Sequence, residues 1–185
     1  MGAPLDAPET DYHNAPVTTA QLPDLWTLET EALSPRYRWL NMLIVAVIGC
    51  GLLALLSIVR YQTLLSLPAN LLATYPFVVT AVAVGTVWAL AYHFLADPCI
   101  RFALREQDLV LHKGLIFKSI GCQPVLRIQH IELKRGPLER LAGLARLQVF
   151  SAGGAVHTFE IPGLPVVQAQ KLRQFILSHK ELNAK

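Results

Sequence analysis

The chain has 185 residues, of which 53% are hydrophobic and only 16% are charged, and its formal net charge is +3. This length suits one folded domain, or one domain with an appendage. The small net charge, without an aromatic platform among the clustered basic residues, argues against nucleic-acid binding. The three cysteines show no CxxC or metal-ligand spacing, so the sequence predicts neither a disulfide framework nor a zinc site.

Residues 1–34 form an N-terminal segment with six acidic and no basic side chains. Pro, Ala, Thr and Asp dominate it without periodicity, so we expect a disordered acidic tail. Such a start differs from a cleaved signal peptide, and the apolar segment behind it is expected to be retained. Residues 22–40 are ambiguous, because their apolar side chains favour packing on the membrane surface or on the soluble domain as much as a disordered linker: Leu25, Trp26, Leu28 and Leu33.

Two long apolar segments follow the tail. Residues 39–59 and 73–96 contain no charged side chain, and each is apolar all round rather than along one stripe. A hydrocarbon core of roughly 30 Å needs about 20 helical residues, so each segment is long enough to cross it. The sequence therefore predicts a transmembrane helical hairpin over residues 35–98, with spans at about 39–60 and 73–96. Small residues favour close packing of the spans, but they suit a lipid-facing position equally well: Gly49, Gly51, Ala54, Ala81, Ala83 and Gly85.

Basic residues are distributed unequally about the two spans. The loop between the spans carries only Arg60, whereas five basic residues flank the outer ends: Arg36, Arg38, Arg101, Arg105 and Lys113. Basic residues are enriched in cytoplasmic segments. We therefore expect a multi-pass protein with both termini and the soluble domain in the cytoplasm.

From Ile100 onward, apolar and polar side chains alternate, which is typical of strands. The pattern predicts a hairpin around residues 106–108, a third strand within 115–125 that ends at Pro124, and a strand whose change of phase requires a bulge near Gln129. A short helical turn is expected within 136–145. Two further strands are expected at 146–151 and 156–161.

The last predicted element is an amphipathic helix with Pro165 in its first turn. Its apolar stripe has helical spacing: Val166, Ala169, Leu172, Phe175, Ile176 and His179. We assign residues 99–180 to a small α+β domain of about six to seven antiparallel strands capped by this helix, and residues 181–185 to a tail. The predicted architecture is pleckstrin-homology-like.

Four stretches of this chain appear in the order typical of one family: SPRYRW, IRFALREQDLVLHKGLIF, PVLRIQHIELKRGPLERLAGLARLQVFSAGG and FEIPGLP. On these stretches, which cover most of residues 34–177, the chain resembles the YdbS-like bacterial membrane proteins. Members carry two N-terminal spans followed by a bacterial pleckstrin-homology-type domain. The resemblance implies this fold and the bacterial cytoplasmic membrane, and it transfers no catalytic residue or cofactor. It also implies pairing with a larger membrane protein that bears repeated copies of the same domain.

The sequence contains no motif of an enzyme: no Walker sequence, dinucleotide fingerprint, GxSxG or HExxH motif occurs. His93 and Asp97 stand four residues apart and can meet on one helix face. Since Asp97 precedes Pro98 at the end of the second span, a pair at the membrane interface is favoured over a proton relay. The sequence therefore predicts a protein that is not an enzyme.

Five basic residues within a stretch of twenty form the candidate contact patch: Arg127, Lys134, Arg135, Arg140 and Arg146. One hypothesis is that this patch binds anionic lipid headgroups. The alternative without a ligand is a solvated strand face whose basic side chains pair with Glu132 and Glu139. A second hypothesis is that the domain is an adaptor whose sheet edge or groove docks a partner membrane protein. A homo-oligomer remains a further expectation.

Overall fold

The computed structural model describes residues 28–63, 66, 68–151 and 159–182. Two long helices, α1 (Pro35–Tyr61) and α2 (Ala69–Ala96), pack antiparallel. Their contacts run from Asn41 with Asp97 at one end to Ser57 with Tyr75 at the other. Each helix contains one predicted span, so the predicted transmembrane hairpin is confirmed.

Both helices are long and apolar enough to cross a membrane. At about 1.5 Å per residue, 27 and 28 residues extend roughly 40 Å, which exceeds a hydrocarbon core of about 30 Å. Large apolar side chains such as Leu43, Val47 and Phe77 lie on the outer surface of the hairpin, uncovered by the protein. This surface is suited to lipid contact.

Seven strands, two further helices and two 3₁₀ turns are the other elements of the described chain. One antiparallel sheet has the order β1 (Glu31–Ala32), β2 (Arg101–Leu104), β3 (Asp108–Lys113), β4 (Ser119–Pro124). The second has the order β5 (Ile128–Lys134), β6 (Leu144–Ser151), β7 (Phe159–Pro165). A short helix, α3 (Pro137–Leu141), connects β5 to β6, and α4 (Val166–Leu182) follows β7 and packs on the second sheet. Single 3₁₀ turns, Asp97–Cys99 and Val125–Arg127, precede β2 and β5.

The first strand lies before the helical hairpin in the chain and pairs with a strand behind it. Glu31 is opposite Phe102 and Ala32 is opposite Arg101. The Arg101 side chain donates to the Thr30 hydroxyl and carbonyl oxygens, both at 2.7 Å. The two membrane helices are thus an insertion between the first and second strands of the domain. Both outer ends of the hairpin meet the same sheet.

This pairing corrects the predicted start of the domain. Residues 31–34 belong to the fold rather than to a disordered tail, because Leu33 is 8% exposed within the core. Of the alternatives that the sequence left open for residues 22–40, packing on the soluble domain is the one observed for Leu33. Leu25, Trp26 and the rest of residues 1–27 lie outside the described residues.

The core lies between the two sheets and α4. Its centre consists of apolar side chains that are at most 7% exposed: Phe102, Leu109 and Leu111 from the first sheet, Leu147, Val149 and Ile161 from the second, and Ala169, Leu172 and Ile176 from α4. Val166 and Phe175 pack at its edge. The predicted helical stripe is therefore confirmed as the buried face of α4 from Val166 to Ile176, whereas His179 is half-buried and lies outside the core.

The strands agree with the prediction at the bulge and differ from it at two boundaries. The expected bulge is present, since the register of β5 against β6 shifts between Ile128 and His130. The apolar residues 115–117 form a turn rather than the start of the third strand, which begins at Ser119. Pro165 is the last residue of β7, and the helix begins one residue later. Residues 152–158, which include the start of the predicted last strand, lie outside the described residues.

Candidate functional site

The structure separates the five residues of the candidate contact patch. Arg127 lies in the 3₁₀ turn before β5, whereas Lys134 ends that strand and Arg135 follows it. Seven strand residues at about 3.3 Å each extend roughly 20 Å. Arg127 is therefore remote from the other four, because Arg140 lies on α3 and Arg146 is opposite Lys134 on β6.

Arg146 is held in a polar network on the outer face of the second sheet. Its Nη2 lies 2.6 Å from Oε1 of Glu139, and its Nη1 lies 3.2 Å from Oε1 of Glu160. Glu139, which is 6% exposed, also accepts a 2.6 Å hydrogen bond from the Gly136 amide at the start of α3. The hydrogen bond with Glu139 raises the pKa of Arg146 above its ordinary value. Arg146 thus joins β6, β7 and α3, and its charge is already paired.

Two more patch residues have partners within the domain. Lys134 lies 3.0 Å from the carboxylate of Glu132, and this pairing lowers the pKa of Glu132. Arg135 donates from Nε to the Leu144 carbonyl oxygen at 3.2 Å. The pairs of Lys134 with Glu132 and of Arg146 with Glu139 match the alternative of a solvated strand face, whereas Arg135 bonds a neutral carbonyl group.

The side chains of Arg127 and Arg140 are exposed and have no hydrogen bond or ion pair with another described residue. They lie at opposite ends of β5. Arg140 lies on α3, which leads to Gly143, where an added Cβ would lie 3.5 Å from the Arg36 guanidinium of α1. The patch therefore reduces to two free cations at separate places.

A different surface is the outer edge of β4. Within the described part of the chain, β4 pairs with β3 on one side and with no strand on the other. None of its six residues is charged, and Ser119, Gly121, Cys122 and Pro124 are exposed. Sheet edges in soluble proteins are usually protected by charges, bulges or a covering element. An uncharged edge of this kind can accept a strand from a partner.

The junction between the hairpin and the domain is held by polar and aromatic contacts. Asn41 Nδ2 donates to Asp97 Oδ2 at 2.9 Å, and His93 Nδ1 lies 3.2 Å from Asp97 Oδ1. Asp97, which is 7% exposed, therefore ties the end of α2 to the first turns of α1. The sequence predicted the pair of His93 with Asp97. It did not predict the contact with Asn41, because Asn41 lies on the other span and no local sequence pattern relates the two residues. This position at the helix ends favours a structural pair over a proton relay.

The tyrosine ring of Tyr37, near the start of α1, packs directly on the backbone of Gly163 in β7. The Ser34 amide donates to the Gly163 carbonyl oxygen at 3.3 Å. A cavity of about 180 Å³ adjoins this contact and is lined by the 32–35 segment, Arg38, Asp97 and Pro98 as well as Tyr37. The membrane helices are thus packed against the domain and not only linked to it.

Cys122 is the one cysteine on the candidate edge, and its thiol has an unusual environment. Partial desolvation raises its pKa, and the Asp108 carboxylate, 3.5 Å from Sγ, raises it further. Arg105, which pairs with Asp108, acts in the opposite direction. A raised pKa leaves less thiolate at neutral pH, so alkylation of Cys122 is expected to be slow.

We expect Asp108→Asn to increase the rate at which iodoacetamide alkylates Cys122 at pH 7.5. Removal of the carboxylate lowers the thiol pKa and therefore raises the thiolate fraction. The rate is measured by mass spectrometry in a Cys50→Ser, Cys99→Ser background, in which Cys122 is the remaining cysteine. Glu106→Gln removes the same charge from the neighbouring turn and is the control. An equal rate in both variants would contradict the assigned role of Asp108.

Comparison with known proteins agrees with this architecture. The family model described as a bacterial PH domain matches residues 22–180, which include the first strand, both membrane helices and the rest of the domain. The chain belongs to the bacterial PH domain family. Its PH domain is therefore split in the sequence by the helical hairpin, since the match starts before α1 and ends in α4.

This bacterial PH protein is similar to a curated transmembrane protein. Over 76 residues it is 29% identical to the UPF0699 transmembrane protein YdbS of Bacillus subtilis (strain 168). The aligned stretch is 41% of this chain and 46% of the relative, so the chain spans about half the length of the relative that it matches. No solved structure matches. The predicted resemblance to YdbS-like membrane proteins is confirmed.

In the part of the chain that the structure describes, no three His, Cys, Asp or Glu side chains lie close enough together to hold a metal ion. The three cysteines are all free thiols. The described structure offers three candidate contact surfaces: the β4 edge, the two exposed arginines and the end of the domain next to the membrane helices.

Proposed function

We propose that the protein is a non-catalytic, membrane-anchored adaptor whose PH domain docks a second membrane protein through the outer edge of β4. A PH-type domain in a YdbS-like membrane protein is a membrane-associated module. The observation that supports docking is the uncharged edge of β4 without a neighbouring strand in the described structure. The candidate contact patch is a weaker candidate for the docking surface than the β4 edge, since three of its five basic side chains already have partners within the domain.

The geometry of the edge suits a partner strand. Its six residues extend about 20 Å, which is enough for a strand of ordinary length to pair along it. Gln123 is 6% exposed, so its side chain lies on the inner face of the strand, and Pro124 ends the strand. Main-chain hydrogen bonds along such an edge provide affinity, and the neighbouring side chains provide specificity.

The anchor restricts where this partner can be. Ser119, at the start of β4, lies at the end of the sheet to which both membrane helices are attached, because the register places Ile120 opposite His112 and His112 opposite Arg101. A partner in the same membrane can therefore reach the edge. The five basic residues at the outer ends of the spans, against Arg60 in the loop, favour the cytoplasmic side for this contact.

The proposed partner is a larger membrane protein that carries further copies of the same domain, as the resemblance to YdbS-like proteins implies. Two copies of one fold present matching edges, so pairing between two β4 edges would extend a four-stranded sheet across both proteins.

Photo-crosslinking in native membranes tests the proposal. We expect p-benzoylphenylalanine at Ser119 or Cys122, both exposed on β4, to form adducts with a larger membrane protein that contains PH-type domains. The same group at Arg173, on the exposed face of α4, should form none. Mass spectrometry of the adducts identifies the captured peptides. Adducts of the chain with itself alone, or equal yields at Arg173, would contradict the proposal.

A second candidate function is binding of anionic lipid headgroups. Its support is the exposed Arg140, three residues before Gly143, where an added Cβ would lie 3.5 Å from the Arg36 guanidinium near the start of α1. A basic side chain near an anionic membrane surface contributes about 1 kcal/mol to the free energy of membrane binding. The photo-crosslinking group placed at Arg140 distinguishes the two functions, because a headgroup contact gives lipid adducts there and a partner contact gives peptide adducts.

A further inference from the structure

The turn between β3 and β4 carries the most exposed large apolar side chain in the described part of the chain. Phe117 is 90% exposed and the adjacent Ile116 is 79% exposed. Lys113 and Lys118 flank them, and both are exposed. Exposed apolar groups next to each other, rimmed by charge, mark a contact surface rather than an ordinary solvated loop.

The strand register places this turn at the end of the sheet from which the membrane helices leave. Ala32, three residues before the start of α1, is opposite Arg101, and Arg101 follows α2 through a single 3₁₀ turn. Arg101 is opposite His112, so β3 runs towards the helices and its next residue, Lys113, begins the apolar turn. The other turn of the same sheet, around Glu106, lies at the opposite end.

The turn is tightly closed. Gly114 has φ = 103°, and a Cβ added to it would lie 1.9 Å from the Phe117 carbonyl oxygen. Lys113 is paired with Ser119 in the register, so the five residues between them are held at both ends. Ile116 and Phe117 are therefore presented at a defined place beside the hairpin.

We propose that this turn inserts Ile116 and Phe117 into the interfacial layer of the bilayer that α1 and α2 cross, while Lys113 and Lys118 contact anionic headgroups. Lipid is the occupant that the position selects, because the turn shares its end of the sheet with both membrane junctions. Aromatic side chains are enriched at membrane interfaces, and lysine side chains extend from apolar surroundings to charged headgroups. The inference goes beyond the adaptor function and depends neither on the docking partner nor on the arginines.

Insertion would also orient the domain. The junction contacts hold the domain on the hairpin, and a further contact at a distance from them would restrict any remaining tilt. Since β4 starts directly after the turn, the same contact would also fix the orientation of the proposed docking edge relative to the membrane surface.

Fluorescence in lipid nanodiscs tests the insertion on the full chain. The dye NBD is attached at Phe117→Cys in a Cys50→Ser, Cys99→Ser, Cys122→Ser background, with discs of phosphatidylcholine alone or with phosphatidylglycerol. The matched control is Glu106→Cys, which is exposed on the turn at the far end of the same sheet. We expect a blue-shifted emission at position 117, quenching by acyl-brominated lipid and protection from aqueous iodide, with none of these at position 106.

A second label, at Ile116→Cys, keeps the test valid if one variant folds poorly, and the thermal midpoint of each variant is compared with that of the background protein. The double variant Lys113→Ala, Lys118→Ala should abolish any gain in blue shift from phosphatidylglycerol. Iodide quenching at 116 and 117 as strong as at 106 would overturn the inference. So would a blue shift without quenching by brominated lipid, because it would indicate contact with protein.

Discussion

Gly163→Ala is expected to lower the free energy of unfolding of the domain by about 2–5 kcal/mol. Gly163 has φ = 63°, in the left-handed region, where a side chain costs roughly 1–2 kcal/mol. A Cβ there would also lie 2.4 Å from Cγ of Tyr37 and 2.6 Å from its Cβ. Tyr37 cannot retreat freely, since it belongs to the membrane helix α1. Thermal unfolding of the full chain in detergent, followed by near-ultraviolet circular dichroism, measures the loss.

Gly143→Ala is the matched control for this prediction. Gly143 has φ = 68°, so the backbone cost is the same, but its added Cβ would meet only the Arg36 guanidinium at 3.5 Å. We expect a loss of roughly 1–2 kcal/mol, from the backbone alone. In the Gly163→Ala background, Tyr37→Ala should recover part of the steric loss. Equal losses at both glycines would show that the contact of Tyr37 with Gly163 does not hold α1 on the domain.

Gly49→Leu is expected to destabilise the helical hairpin by about 1–3 kcal/mol. Gly49 is buried, and a Cβ on it would lie 2.4 Å from Cγ2 and 2.5 Å from Oγ1 of Thr86 on α2. A leucine there must push the helices apart, which also strains the contacts of Asn41 and Ser57 at the two ends of the hairpin. Titration with SDS from a mild detergent, monitored by the fluorescence of the span tryptophans, measures the change.

Gly51→Leu is a control only two residues away on the same helix. Nothing lies within 4 Å of a Cβ added to Gly51, so the larger side chain faces outward. An apolar residue that faces lipid or detergent should leave the SDS midpoint almost unchanged. If Gly51→Leu were as damaging as Gly49→Leu, the assigned packing face of α1 would be wrong.

Which small residues pack between the spans could not be predicted from the sequence. Gly49, Gly51 and Gly85 looked equivalent there, yet only Gly49 contacts the other helix, while the added Cβ of Gly51 and of Gly85 meets nothing. Packing of helices in lipid depends on how each helix is rotated about its axis, and an all-round apolar pattern contains no information on this rotation. The contacts of Asn41 with Asp97 were missed for the same reason.

The candidate patch shows the same limitation in the domain. Five basic residues close in sequence suggested one surface, but a strand carries the chain roughly 20 Å away from Arg127 before it reaches Lys134. The acid that pairs with Arg146 at 3.2 Å comes from β7, and its position was set by strand pairing. The edge of β4 could not be found without the sheet order, because an edge is defined by the absence of a neighbouring strand.

The amino-acid sequence by itself determined the elements that depend on local periodicity. The charge-free segments specified the two membrane helices, alternating side chains specified most strands and the bulge near Gln129, and the 3.6-residue stripe specified the buried face of α4. Only the tertiary structure decided that Glu31–Ala32 is the first strand of the domain and that the hairpin is inserted behind it. A two-residue strand has no periodicity of its own. It forms because Leu33 is buried in the core and because the antiparallel hairpin brings its own two ends together. Ala32, before the hairpin, therefore lies opposite Arg101, after it.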